Sequence, residues 1–159
     1  MGATNKEQLL NIILIPIFIV LAIILSPIII ISFLRHYFIG LILKYRFKKK
    51  LIHENKHILF AYSDSPHWKE YIENNIEPVI ADKTIFINRS QDSEWKKNNL
   101  LESKVIKHWG GDKEYNPIAI IFPRKGKINV VRFYQAFKDY KHGNTALLNE
   151  KELELYEKL

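Results

Sequence analysis

The sequence predicts an apolar membrane helix followed by a small α/β domain in the order β-α-β-α-β-β-α. Three observations lead there. Leu9 to Leu34 carries no charge at all. Beyond residue 57, short apolar runs of strand character alternate with segments whose apolar residues recur every three or four positions. The last two strand-like runs are separated only by a proline-glycine turn, which makes them a hairpin. A chain of 159 residues has room for one domain and an appendage. The division expected is a membrane anchor over 1–43 with its helix at about 9–34, a basic juxtamembrane linker over 44–56, and an α/β domain over 57–159.

The apolar run would extend about 39 Å as a helix at ~1.5 Å per residue, enough to cross a hydrocarbon core of ~30 Å with tilt. Its many isoleucines disfavour a helix in water. In lipid an unpaired backbone amide is so costly that the helix is enforced. The run is too long for a secretory signal, and no small-residue cleavage site follows it. Lys6 and Glu7 precede it, whereas Arg35, Lys44, Arg46, Lys48, Lys49 and Lys50 follow it. That asymmetry places the C-terminal side in the cytoplasm. The aromatics and cations from Phe38 to Phe47 are expected at headgroup depth.

Ser26-Pro27 interrupts the run, because proline removes a backbone donor. LSPIIII resembles the Ser-Pro break in the re-entrant membrane helix of monotopic phosphoglycosyl transferases. Such a re-entrant hairpin is the alternative to a single pass. Nothing downstream resembles that family's catalytic Asp-Glu pair, so its activity is not implied.

In the second part, His57–Tyr62 is the first strand. Ser65 serves as N-cap and Pro66 as first residue of a helix that carries Trp68, Tyr71, Ile72, Ile76 and Val79 on one side. Lys83–Ile87 is the second strand. Asp92 or Ser93 caps a second helix that Gly110-Gly111 stops. Ile118–Phe122 is apolar throughout, as in a buried central strand. Pro123–Lys127 turns, and Ile128–Tyr134 returns. NEKELELYEKL is the last helix, with Asn149 and Glu152 at capping-box spacing. Trp68, Phe86, Ile120 and Val130 are expected in the core.

Composition excludes several functions. Without cysteine there is no disulfide, thiolate nucleophile or cysteine zinc site. The net charge of +7 suggests nucleic acid until it is divided. Residues 1–50 hold seven Lys/Arg and one acid, whereas residues 51–159 hold seventeen and sixteen. The second part therefore lacks a basic face for phosphate backbones, and no nucleic-acid partner is expected. The expected partners are the lipid bilayer, through the helix and the basic segment after it, and a protein.

NPIAIIFPRKGKINVVRFYQAF resembles the second half of the thioredoxin-like fold: a proline opening a strand, a Gly-Lys hairpin, a return strand. The resemblance implies that Pro117 stands at that family's cis-proline, after Asn116. It also implies that SDSPHW stands at the active-site turn. The family keeps a C-x-x-C there and this chain has none, so thiol chemistry is not implied. FAYSDS and NRSQDSEWKKNNLLESK resemble pieces of TIR domains, which implies Glu102 as the match for their NAD-cleaving glutamate. One strand–helix unit between those pieces is missing.

HENKH, residues 53–57, fits the H-E-x-x-H of zinc peptidases, in which both histidines share a helix face and the glutamate activates a water. Here His57 enters a strand-like run and Ser63 stands where a third histidine would be. The pair therefore reads as part of a polar linker, and no metal or other cofactor is expected. The binding candidates are Ser63, Asp64, Ser65, His67, Trp68, Asn116 and Pro117. A strand-to-helix turn can offer backbone amides to an anion, or can simply cap the helix. The reading that follows is a membrane-anchored cytoplasmic module without redox cysteines, which binds or assists rather than catalyses. The alternative is a small membrane-bound hydrolase or transferase that uses the Ser63–His67 turn with Arg89.

Overall fold

The computed structural model describes residues 5–90, 100–111 and 116–159, with side chains from residue 14 onward. It divides into two units, Met1–Leu41 and Ile42–Leu159. The architecture is mixed α/β, with a long N-terminal apolar helix and a four-stranded mixed sheet.

Helix α1 (Asn5–His53) has 49 residues and continues through both Pro16 and Pro27. Among the described residues it is the one helix long and apolar enough to cross a membrane. A re-entrant hairpin would need the chain to reverse at Ser26-Pro27, and the helix does not break there. Pro27 has no N–H to give to the carbonyl four residues earlier, that of Ile23. The Ser26 hydroxyl donates to that carbonyl instead, at 3.0 Å. From Leu14 through Ile39 every side chain is exposed, as suits a lipid-facing surface.

The last turns of α1 belong to the second unit. Leu43, Phe47 and Leu51 are buried at four-residue spacing, whereas Tyr45 and Ile52 are 73% and 69% exposed. Residues 44–53, expected as linker, are thus helix, and Phe47, expected at headgroup depth, is fully buried. An apolar stripe at helical spacing outweighs the charges interleaved with it, because long Lys and Arg stems reach water from the other faces. A Schellman motif ends the helix. Asn55 takes φ 53°, Lys56 N–H donates to Leu51 O at 2.8 Å, and Asn55 N–H donates to Ile52 O at 3.1 Å. HENKH therefore straddles a helix end, and its two histidines share no helical face.

The sheet has the order β2-β1-β3-β4. Strand β1 (Ile58–Tyr62) pairs parallel to β2 (Thr84–Asn88), with Phe60 opposite Phe86. It pairs antiparallel to β3 (Ile118–Ile121), with Leu59 opposite Ile120. β3 pairs antiparallel to β4 (Asn129–Arg132). Both central strands are buried at every position, so both faces are covered. Of the four residues expected in the core, Ile120 is fully buried, whereas Trp68, Phe86 and Val130 are only half-buried. The reason is position: Phe86 and Val130 lie on edge strands, and Trp68 stands at the head of a helix.

One face carries Ile58, Phe60, Ala119 and Ile121, and packs against the helices after β1 and after β4. The first of these is irregular. Helix α2 (Lys69–Tyr71) passes into a π segment (Ile72–Ile76), then α3 (Glu77–Ile80) and a 3₁₀ turn (Ala81–Lys83). Pro78 would clash with a carbonyl one α-turn earlier, and the wider π turn, with Glu77 N–H on Ile72 O, relieves that clash. Regular helix begins three residues later than Pro66, after a turn at 66–68. β4 ends at Arg132 rather than Tyr134, because Phe133 turns helical and opens α5 (Tyr134–Lys141), which buries Ala136 and Phe137. Gly143, at φ 86°, separates it from α6 (Ala146–Tyr156). The capping-box pair Asn149 and Glu152 lies inside α6, not at its start, since Asn149 N–H already donates to Thr145 O at 3.0 Å. The single C-terminal helix expected from sequence is therefore two.

The other face carries Leu59, Ala61, Ile118, Ile120 and Phe122, and packs against α4 (Leu100–Val105) and the end of α1. A π segment (Ile106–Gly110) extends α4, and Gly111 at φ 85° stops it. The cap expected at Asp92 or Ser93 lies outside the described residues. Phe47 and Phe122 meet edge to face, ring centroids 5.1 Å apart. Lys50 Nζ binds the buried Glu102 carboxylate, and this hydrogen bond raises the lysine's pKa. The glutamate matched to the TIR position thus ties α4 to α1.

Phe47→Ala is expected to cost about 3–5 kcal/mol, comparable to the ~2–5 kcal/mol of Ile120→Ala. Chemical denaturation of the two variants in detergent checks this. Wild-type stability in Phe47→Ala would show that α1 is not part of the domain core.

Candidate functional site

The C-terminal ends of β1 and β2 and the N-terminal end of β3 lie together, because Ala61 pairs with both Ile87 and Ile118. The Ser63–Ser65 turn leaves β1 at this end, and Asn116-Pro117 enters β3 here. The Asn116–Pro117 bond is cis, as the resemblance implies. Four of the seven candidate residues, Ser63, Asp64, Asn116 and Pro117, are therefore gathered at one end of the sheet.

Asp64 organises this end. Its Oδ1 accepts from Asn88 Nδ2 at 2.9 Å and pairs with Lys69 Nζ at 2.7 Å. Those two bonds, the lysine's first, hold its carboxyl below the usual carboxylate range. Its backbone N–H donates to Ser90 Oγ at 2.7 Å, and Ser90 N–H donates to Asn88 Oδ1 at 3.0 Å. Arg89 N–H donates to Tyr62 O at 2.7 Å, and Arg89 Nη1 reaches Asn116 Oδ1 at 3.3 Å. A carboxylate with depressed pKa and several donors is a poor general base at neutral pH. The cluster joins two loops, and its polar groups are largely engaged with one another.

Ser65, expected as N-cap, instead opens the turn at 66–68, and the helix that follows has Trp68 at its N-cap position. The Ser65 carbonyl accepts from Lys69 N–H at 3.0 Å, and its Oγ accepts from His67 N–H at 3.3 Å. The turn's amides are thus partly used within the turn itself.

His67 and Trp68 belong to a separate place. The Trp68 indole donates to Ser63 O at 3.1 Å, and its ring centroid lies 6.2 Å from those of both Tyr134 and Phe137 on α5. Together with His67, Lys138 and Lys141 they line a cleft of about 220 Å³. A cleft lined by Trp68 is expected beside Asn116-Pro117. It forms against α5 instead, because the indole lies over Phe137. Sequence reasoning missed Lys69, Asn88 and Ser90 as partners of Asp64, and α5 as the second wall. The spacing of Tyr134, Lys138 and Lys141 was the available signal for that wall, since it is helical.

Beneath this cleft Tyr71, Phe137 and Tyr140 form a ring cluster, with Tyr71 5.2 Å from Tyr140. Burial first, and the Glu152 carboxylate second, push Tyr71 well above the usual tyrosine range. The same two causes push Tyr156 up to about 12. Among the described residues no group of three His, Asp or Glu could hold a metal ion.

No family model, no curated protein sequence and no solved structure matches this chain.

A tyrosine whose folded pKa is raised favours the folded state until pH passes its unfolded value near 10. Stability should therefore stay level up to about pH 10 and fall above it, through about pH 12 for the part due to Tyr156, with Tyr71 adding to the fall. The double variant Tyr71→Phe/Tyr156→Phe should flatten that fall. Tyrosinate absorbance followed alongside unfolding checks the order of events. Full ionisation near pH 10 without unfolding would contradict it.

Proposed function

We propose that the chain is a membrane-anchored cytoplasmic domain of thioredoxin-like type that acts as a binding or accessory module, without redox chemistry. The element order through β4 and the placement of Pro117 and the Ser63–Ser65 turn at one sheet end support the fold reading. The absence of cysteine removes thiol exchange. The charge asymmetry across the apolar run supports a cytoplasmic domain.

The cleft between His67-Trp68 and α5 carries the functional reading. At about 220 Å³ it is smaller than the pockets that enclose small molecules, and it suits one side chain of a partner. Aromatic walls with Lys138 and Lys141 at the rim favour an acidic segment bearing an apolar anchor. The engagement of Asp64 by Lys69 and Asn88 weighs against a hydrolase centred on the turn.

A photo-crosslinking residue at His67 in the full chain, expressed in cells, should give one discrete adduct. Trp68→Ala should abolish it, and the same probe at Glu150 should give none. Indistinguishable patterns at 67 and 150 would remove the cleft as a partner site. In the same cells Lys151→Cys should resist impermeant thiol reagents, and rapid labelling would place the domain on the other side of the membrane.

A further inference from the structure

The opposite end of the sheet has a different character. There the starts of β1 and β2 and the end of β3 meet the last turns of α1 and residues 158–159. His57 N–H donates to Lys83 O at 2.9 Å, Phe122 N–H donates to His57 O at 2.8 Å, and His57 Nε2 lies 3.1 Å from Lys158 O. Lys48 Nζ donates to the carbonyls of Pro123 at 2.9 Å and Arg124 at 2.8 Å. These bonds fix the walls of a cavity of about 550 Å³, within the range of ligand pockets.

Its lining combines an apolar floor with converging cations. Leu51 and Phe122 are buried, whereas Lys48, Lys56, Lys83, Arg124 and Lys158 come from separate stretches of chain, and no Asp or Glu side chain lines the cavity. Among the described residues none of these five cations makes an ion pair. Five positive charges around one volume repel one another unless an anion enters. A phosphate monoester brings close to two negative charges and three acceptor oxygens.

We infer that this cavity binds the phosphate-monoester headgroup of an anionic phospholipid. The inference rests on the reading of α1 as a membrane anchor. Lys48 follows Ile42, an apolar residue of α1 that is 56% exposed, by only about 9 Å of helix at ~1.5 Å per residue. Ile52, on the cavity wall and 69% exposed, offers an apolar contact for the glycerol and acyl part. A soluble phosphate would use the same cations without that contact.

The test uses the full chain in a neutral detergent, titrated with short-chain phosphatidic acid and followed by native mass spectrometry. One lipid per chain is expected. Each cation near an anionic headgroup contributes about fivefold, so Lys56→Ala/Lys83→Ala should weaken binding roughly thirtyfold. Lys104→Ala/Lys107→Ala removes the same charge from exposed positions on another helix and should leave affinity within about twofold. Melting curves establish that both variants fold. Equal losses in the two variants, equal binding of phosphatidylcholine, or no binding would overturn the site. Displacement of the lipid by equimolar inorganic phosphate would reassign the cavity to a soluble phosphate and overturn the lipid. Carbonate extraction of membranes holding the same chain tests the anchor separately. Release into the soluble fraction would remove the anchor reading, whatever the titration shows.

Discussion

The domain depends on one constraint: a four-stranded sheet buried at every position of its central strands needs cover on both faces, and α1 supplies part of one. Leu59, Ala61, Ile118, Ile120 and Phe122 would face water without Leu43, Phe47, Leu51 and the α4 residues above them. Each large apolar side chain removed from water contributes about 1.5–3 kcal/mol, so the three from α1 are comparable to the whole stability of an ordinary domain. Lys50 and Glu102 add direction to that contact. A carboxylate 2% exposed needs its cation, and the lysine is fixed on the helix that must dock. The helix that carries the apolar run is thereby also a piece of the globular core.

The two ends of the sheet divide the polar chemistry. At one end Asp64, Lys69, Asn88 and Ser90 satisfy one another across two loops. At the other end Lys48 has backbone carbonyls for partners, and no Asp or Glu side chain lines the cavity. A near-neutral count over residues 51–159 conceals this separation, because a sum over sequence says nothing about which charges the fold brings together. Two of the five cations, Lys48 and Lys158, come from opposite extremes of the domain's sequence.

Most of the architecture could be read from local signals. The strands were legible because ILFAY, TIFIN and IAII are apolar runs of strand length bounded by polar turns. The stop at Gly110-Gly111 was legible because glycine takes the positive φ a helix end requires. Two features were hidden. KYRFKKK reads as a basic juxtamembrane linker, and its charges mask the Leu43-Phe47-Leu51 stripe that runs through it. INVVRFY reads as one strand, yet the chain turns helical at Phe133, where burial against Phe60 and Phe137 outweighs β propensity. The strand-to-helix turn after β1 is legible from SDSP, but the direction in which Trp68 faces depends on α5, which sequence alone did not supply.

The bond from Ser26 to the Ile23 carbonyl makes two neighbouring positions interdependent. The hydroxyl matters only because proline follows it. With any other residue at 27, the backbone amide would fill the carbonyl and the serine would be one more small polar side chain in an apolar run. A lineage could therefore drop the proline freely and the serine afterwards, but dropping the serine first would pass through a helix with an unfilled carbonyl in its most apolar stretch. The order in which such changes are tolerated is written into a single turn of α1.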